Sequence, residues 1–439
     1  MRNLHFAGVR MRRPVAAVVF SLLVCATAFA QEIDIYDHRD DPILRLGTFE
    51  FAGGKTVSYS VGIGSGAFRA AGDPPDIFWT ISDRGPNWVP AATKEIAGID
   101  GAALCGTVRN CRVYGWPDYP PSIYRIEVRA DGTFRVLDAI AIKTLSGRPV
   151  TGLLNPLKVA SNENAVGPDG RPLAHDPNAV DAEGIVRLAD GTFWIGDENG
   201  PSILHVAADG RIQRRLVPAG TEPDYAGADY EVLGALPAIL ARRTANRGIE
   251  SMAVSGDERH LYFILQNPLA NPDAAAYRGA ANTRIVRIDR QSLRPTAEWV
   301  YAMDPTSNYR GDEGKPQSEV RISELLWIGE NRFLVDERTE RTTKIFEIDL
   351  AGATDILGGK WDDPATAPSL EQSVLSAAGI VPASKTLRFD TADHPELPTK
   401  IEGMALFGDG SLMLINDDDF GIDGARTRVM RVRGLPLGR

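Results

Sequence analysis

Glu183, Glu250 and Glu402 each stand just before a Gly or a Ser, at one place in a recurring segment. A second acidic set closes such segments: Asp83, Glu198, Glu337 and Asp417. Carboxylates gathered without matching cations repel and raise one another's pKa, and a hard cation with oxygen ligands relieves that. Arginines follow two of them, Arg84 after Asp83 and Arg338 after Glu337. A guanidinium grips phosphate or carboxylate bidentately. These residue types point to a cation-assisted site for an anionic substrate. Glu183, Glu250, Glu402 and Asp417 are the expected metal ligands. Asp83, Arg84, Glu198, Glu337 and Arg338 are the expected catalytic group, with Arg84 and Arg338 holding the anion. Calcium is the leading ion, and magnesium or manganese also suits such ligands. Zinc is disfavoured, since the 6 His are dispersed without paired spacing.

The segments that must position these residues share one plan. An acidic or small start leads into a short apolar strand, a Gly/Asp turn, a β-rich strand and a polar cluster. Asp181–Glu198 is the clearest copy, followed by Ile401–Asp418, Ile249–Gln266 and Ile322–Glu337, with a weaker one ending at Ile77–Arg84. Glu324 is aligned with the three glutamates in the fourth copy. Asp190-Gly191 and Asp409-Gly410 are favoured hairpin turns. Second hairpins follow around Asp131-Gly132 and Asp209-Gly210. Two hairpins per repeat make a four-stranded blade, whose innermost strand lines a common channel. The expected fold is all-β and β-propeller-like, with six blades, inserted loops and short helices. Glu183 and Glu250 lie 67 residues apart, more than the about 40–50 of a typical blade repeat. Insertions are therefore expected at 153–178, 268–282, 303–319 and 361–400, and short helices at 234–244 and 370–378. A strand near 43–49 is expected to close the ring against 428–432.

The first residues read as an export signal. Arg2, Arg10, Arg12 and Arg13 precede an apolar run from Val15 to Phe29, and Ala28 and Ala30 give the small residues read at cleavage. Cleavage after Ala30 leaves residues 31–439 as one domain, periplasmic or secreted. It removes four arginines and no acid, taking the net charge from −10 to about −14. So acidic a chain is a poor nucleic-acid binder and a better cation binder. No later segment is long and apolar enough for a membrane span. Cys105 and Cys111 remain, and an oxidising compartment favours a disulfide between them.

Several motifs together resemble the "esterase-like activity of phytase" (phytase-like) domain family. They are Ser82–Asn87, Ala182–Gly184 with Gly196–Ser202, Arg247–Met252, and Lys400–Met404 with Asn416–Asp418. The similarity runs from about Leu46 to Arg433. It implies an exported propeller-type domain and, loosely, hydrolysis of esters or phosphate esters. No catalytic residue is carried over with it. The expected function is a metal-dependent hydrolase whose partner is a small anionic ester. Alternatives are a lactonase-type propeller enzyme, which favours neutral substrates, and a calcium-stabilised propeller that binds without catalysis.

Overall fold

The computed structural model describes residue 1 and residues 31–38 and 41–437. The expected leader falls on residues 2–30, outside the described ones. Residues 31–439 form one compact unit.

Local chemistry sets the hairpins. The Asp190 carboxylate accepts from the backbone N–H and hydroxyl of Thr192 at 2.9 and 2.7 Å. Gly191 between them takes φ 87°, the left-handed region that glycine enters at no steric cost. Asp409, Gly410 and Ser411 repeat the turn. The flanking β-branched and aromatic residues then pair as antiparallel strands.

These hairpins build five blades around one axis, the first and fifth continuous in one eight-stranded sheet where Asp37 and His38 pair in parallel with Thr133 and Phe134. The first blade comprises Gly66–Phe68, Ile77–Ile81, Ser122–Val128 and Thr133–Ala141. The second comprises Ala182–Arg187, Phe193–Asp197, Ser202–Val206 and Ile212–Pro218, with Glu231–Leu236 added in parallel outside. The third comprises Ala253–Val254, His260–Ile264, Asn282–Asp289 and Arg294–Ala302. The fourth runs Arg321–Gly329, Arg332–Arg338, Thr343–Asp349 and Ser384–Asp390. The fifth runs Ile401–Leu406, Leu412–Asn416 and Arg428–Arg433, completed by Glu32–His38 from the start of the chain. Each inner strand packs on the inner strands to either side, and the ring closes where Gly66–Phe68 meets both Ala182–Arg187 and Ile401–Leu406.

An apolar layer fills each of the five gaps between blades. Trp79 and Ile123 meet Ile195 and Leu204; Trp194 and Ile203 meet Phe263 and Val286. Tyr262 and Ile285 meet Phe333 and Val335; Leu334 and Ile345 meet Met404 and Leu414. Phe78 and Ile126 close the circle on Phe407 and Ile415. Burying both faces of every sheet is what holds the ring together.

Four expectations need correction. Blades number five among the described residues, because the remaining strands lie outside the ring. Arg45–Glu50 pairs with Thr56–Ser60, and Asn87–Trp88 joins Cys111–Tyr114 and Asn164–Val166. The strand that closes the ring is therefore Glu32–His38, with Glu32 opposite Arg433, and not residues 43–49. The stretch 361–400 is only partly an insertion, since it supplies the outer strand of the fourth blade. Residues 234–244 form the end of a strand and a 3-10 turn, and 370–378 form turns without a helix. The extra strands, with the helices Thr93–Ala97 and Gly101–Cys105, share a small core of their own around Trp88 and Val113. Cys105 and Cys111 are joined in a disulfide there.

Candidate functional site at the blade axis

At the end of the second strand of each blade, or one or two residues past it, one side chain faces the axis. In blade order these are Asp83, Glu198, Gln266, Arg338 and Asp417, and all five line one cavity of about 380 Å³. The inner strands add Glu183 and Glu402, and Glu250 stands three residues ahead of the third inner strand. One-residue bulges present two of these glutamates. Ala182 pairs with Asp197 and Ile185 with Ile195; Ile401 pairs with Asn416 and Gly403 with Ile415. The extra residue bends the strand and re-aims a side chain.

The fourth blade explains a sequence error. Ile322 pairs with Glu337 and Glu324 with Asp336, so the extra residue is Ser323. Ser323 thus occupies the glutamate position, and Arg338 the position of Glu198 and Asp417. Glu324 and Glu337 are each one residue out of register, and in a strand one residue changes the face. Glu337 does not line the cavity. It lies in the blade interior, accepting from the Tyr309 hydroxyl at 2.5 Å, the Asp304 N–H at 2.8 Å and Lys385 Nζ at 3.1 Å. Glu324 accepts from the backbone of Ala67 at 3.0 Å. The other eight expected residues, Asp83, Arg84, Glu183, Glu198, Glu250, Arg338, Glu402 and Asp417, share the cavity.

Within it the carboxylates divide into two groups. Glu402 accepts from Arg338, and Asp417 accepts from Lys400 at 3.1 Å. Glu183, Glu198 and Glu250 form the other group, with one carboxylate oxygen of each within 4.8 Å of the others. Asp83 and Asp181 make a second such triplet with Glu183. Glu250 accepts from Gln266 and from the Ser323 hydroxyl at 2.9 Å, while Arg247 lies 3.4 Å from Glu198. Glu183, only 5% exposed, accepts no hydrogen bond among the described residues. Burial raises its pKa well above the carboxylate range, and Glu250, Asp181 and Glu198 raise it further. Glu198 is raised by burial and then by Glu250. Asp83 is raised by burial, then by Asp417 and Asp181. Asp181 is pushed up to about 6, by burial first, with Arg84 pulling the other way. An all-oxygen donor set of crowded carboxylates is what a hard divalent cation takes. The expected ligands Glu402 and Asp417 stand apart from this set with cations of their own, while Glu198 joins it.

Part of the site was invisible in the repeats. Arg112 reaches the cavity from the excursion between the second and third strands of the first blade, and Glu163 from the segment between the first and second blades, where no repeat exists. Glu163 holds Arg84 at 3.2 Å and Arg112 at 3.7 Å. Arg247 and Lys400 precede the repeated glutamates, and Arg321 opens the fourth inner strand. His175, which precedes Glu183 in the same segment, contacts the Glu163 carbonyl at 3.1 Å and does not line the cavity.

Fold and site together define a five-bladed propeller with an acidic, arginine-rimmed cavity on its axis. Residues 62–420 match the phytase-like family, described as "esterase-like activity of phytase", and the chain belongs to that family. It is 25% identical over 294 residues to an uncharacterized secreted protein of Arthroderma benhamiae, an alignment covering 60% of this chain. The chain spans about half, 54%, of that relative's length. Two solved propeller-type structures are similar in outline. A luciferin-regenerating enzyme is 12% identical, covering 92% of this chain and 96% of that one, at a TM-score of 0.34. The PQQ-bound aldose sugar dehydrogenase of Streptomyces coelicolor is 11% identical, covering 92% and 98%, at a TM-score of 0.31. Neither likeness carries a statement about this chain's site. No helix among the described residues is long and apolar enough to cross a membrane.

Proposed function

We propose that the axial cavity hydrolyses phosphate esters or other small anionic esters with the help of a divalent cation, calcium first. One observation carries this reading. Glu183, Glu198 and Glu250 bring oxygens within 4.8 Å, and guanidinium groups line the same cavity. Buried carboxylates in excess of their cations are costly, and they persist where something binds them. When bound there, a divalent cation supplies Lewis-acid polarisation of the ester and acidifies water. The three glutamates would hold it, and the arginines would hold the anionic group and its developing charge. Asp83, whose pKa is raised by burial and by Asp417 and Asp181, lines the same cavity and would be the group placed to pass a proton to the leaving oxygen. The secreted relative and the leader-like residues 2–30 support action outside the cytoplasm.

The test follows hydrolysis of p-nitrophenyl phosphate and p-nitrophenyl acetate by the purified protein, with and without chelator, beside its metal content. Expected are loss of phosphate-ester turnover on chelation, recovery with calcium, and a kcat at least ~100-fold lower in Glu183→Gln. No binding at millimolar calcium, with turnover indifferent to chelator, would end this reading.

A further inference from the structure

Two groups of arginines face the cavity, and their hydrogen bonding differs. Arg84 and Arg112 are tied down. Arg84 lies 3.2 Å from Glu163 and 3.5 Å from Asp181, while Arg112 donates to Asn87 at 2.6 Å and shares Glu163. Neither has a buried nitrogen without a partner among the described residues. Arg247, Arg321 and Arg338 are different. Each keeps a buried nitrogen with no hydrogen-bond partner among the described residues: Nε of Arg247, Nε of Arg321 and Nη1 of Arg338. Arg338, at 2% exposure, is the most buried of the three.

These three also crowd one another. Arg321 and Arg338 are direct cross-strand partners, an arrangement that costs stability when both carry like charge. Burial lowers the proton affinity of Arg321, and Arg247 and Arg338 lower it further. The acids nearest Arg321 are Glu319 at 3.2 Å and Glu340 at 3.5 Å, both more exposed than the arginine itself. Each of the three has a carboxylate partner, Glu198 for Arg247, Glu319 and Glu340 for Arg321 and Glu402 for Arg338, and each keeps a buried donor that these acids leave unmet among the described residues.

We infer that the wall of Arg247, Arg321 and Arg338 is the oxyanion subsite, and that Arg84 and Arg112 are positioning residues that shape the opposite wall. The subsite fits a phosphate monoester. Its three non-bridging oxygens match three guanidiniums with donors to spare, whereas a carboxylate offers only two oxygens. This deepens the proposed function, since it rests on an anionic substrate, and it moves the anion contact expected of Arg84 to Arg247 and Arg321.

The experiment titrates inorganic phosphate and, separately, acetate into the chelator-treated full mature chain by calorimetry, so that no turnover is needed. Phosphate is expected to bind at least about tenfold more tightly than acetate. Arg321→Met and Arg247→Met are each expected to weaken phosphate about tenfold or more, the loss of one charge-assisted contact. Arg321→Lys should recover only part of that, because an ammonium keeps the charge and loses the fork. Arg112→Met should change phosphate affinity less than twofold. Thermal unfolding of each variant accompanies the titration, and the Lys variant gives the reading if Arg321→Met does not fold. Equal weakening by Arg112→Met and Arg321→Met, or no phosphate binding by the parent chain, overturns the inference. Phosphate binding with this arginine dependence but no ester turnover would leave the subsite standing and remove the hydrolase reading. Turnover with phosphate affinity set by Arg112 would do the reverse.

Discussion

Asp197 and Glu198 are neighbours in the chain, yet they belong to opposite regimes. Asp197 turns into the second blade and meets Arg215, with both side chains fully buried. Its oxygens also accept from the Asp181 N–H at 3.1 Å and the Gly200 N–H at 2.9 Å. Arg215 in turn donates to Ser202 at 2.8 Å, the Ala179 carbonyl at 2.9 Å and the Tyr230 hydroxyl at 3.1 Å. Glu198 turns to the axis, where Glu183 and Glu250 crowd it and Arg247 stands no nearer than 3.4 Å. The first buried charge is matched and saturated with hydrogen bonds, and it holds a blade together. The second is buried in excess, which costs stability unless a ligand compensates it. The blade interior spends its charges on structure, and the axis leaves its charges available.

The strongest way to break this contrast is to unpair the structural ion. Arg215→Met should destabilise by about 3–5 kcal/mol, because it strands Asp197 in the interior. Urea unfolding checks this, and a loss below about 1 kcal/mol would put Asp197 and Glu198 in the same class. Glu183→Gln should act the other way. In chelated protein its stability should be unchanged or slightly higher, since one repelling charge is gone. Calcium affinity should fall at least ~10-fold, and the calcium-induced rise in Tm should shrink with it. A normal calcium response in this variant would contradict the axial assignment.

A pH series sharpens the same comparison. Glu183, Glu198 and the neighbouring Asp181 have folded pKa values raised above their unfolded ones by burial, Asp181 to about 6. Their contribution to stability is therefore full below pH ~4 and is lost as pH rises through 6 and beyond. The Tm of chelated protein should decline from pH 5 to pH 8. Calcium binds the ionised carboxylates, so the gap between chelated and calcium-loaded Tm should widen over that range. A gap that narrows would count against the cluster. The smallest effect is expected from Glu337→Gln, a residue of the blade interior. It should lower stability by about 1–3 kcal/mol through its lost partners and leave calcium affinity within twofold, read by the same titration.

Much of this arrangement was legible in the amino-acid order. Hairpins declare themselves locally, through alternating apolar residues and Asp-Gly turns, and a carboxylate at a hairpin mouth is visible as a recurring Glu-Gly or Glu-Ser. That is how Glu183, Glu250, Glu402, Asp83, Glu198 and Asp417 could be placed at equivalent ends before their sheets were seen. Glu337 and Glu324 were misplaced for a physical reason. The fourth blade carries the same bulge as the second and fifth, but Ser323 fills the place of Glu183 and Glu402 and an acid stands one residue on, a change of face that residue types do not mark.

Sequence alone determined the strands, the turns, the acidic character and the recurring ends. Tertiary structure decided the blade number, since the circle closes on how many sheets pack face to face and not on how many hairpins exist. It also decided that Glu32–His38 completes the last blade, that Arg112 and Glu163 arrive from two separate excursions of the chain, and which carboxylates keep a cation. Turn chemistry and alternation act over a few residues, whereas the meeting of Glu183, Glu198 and Glu250 depends on two blades packing side by side.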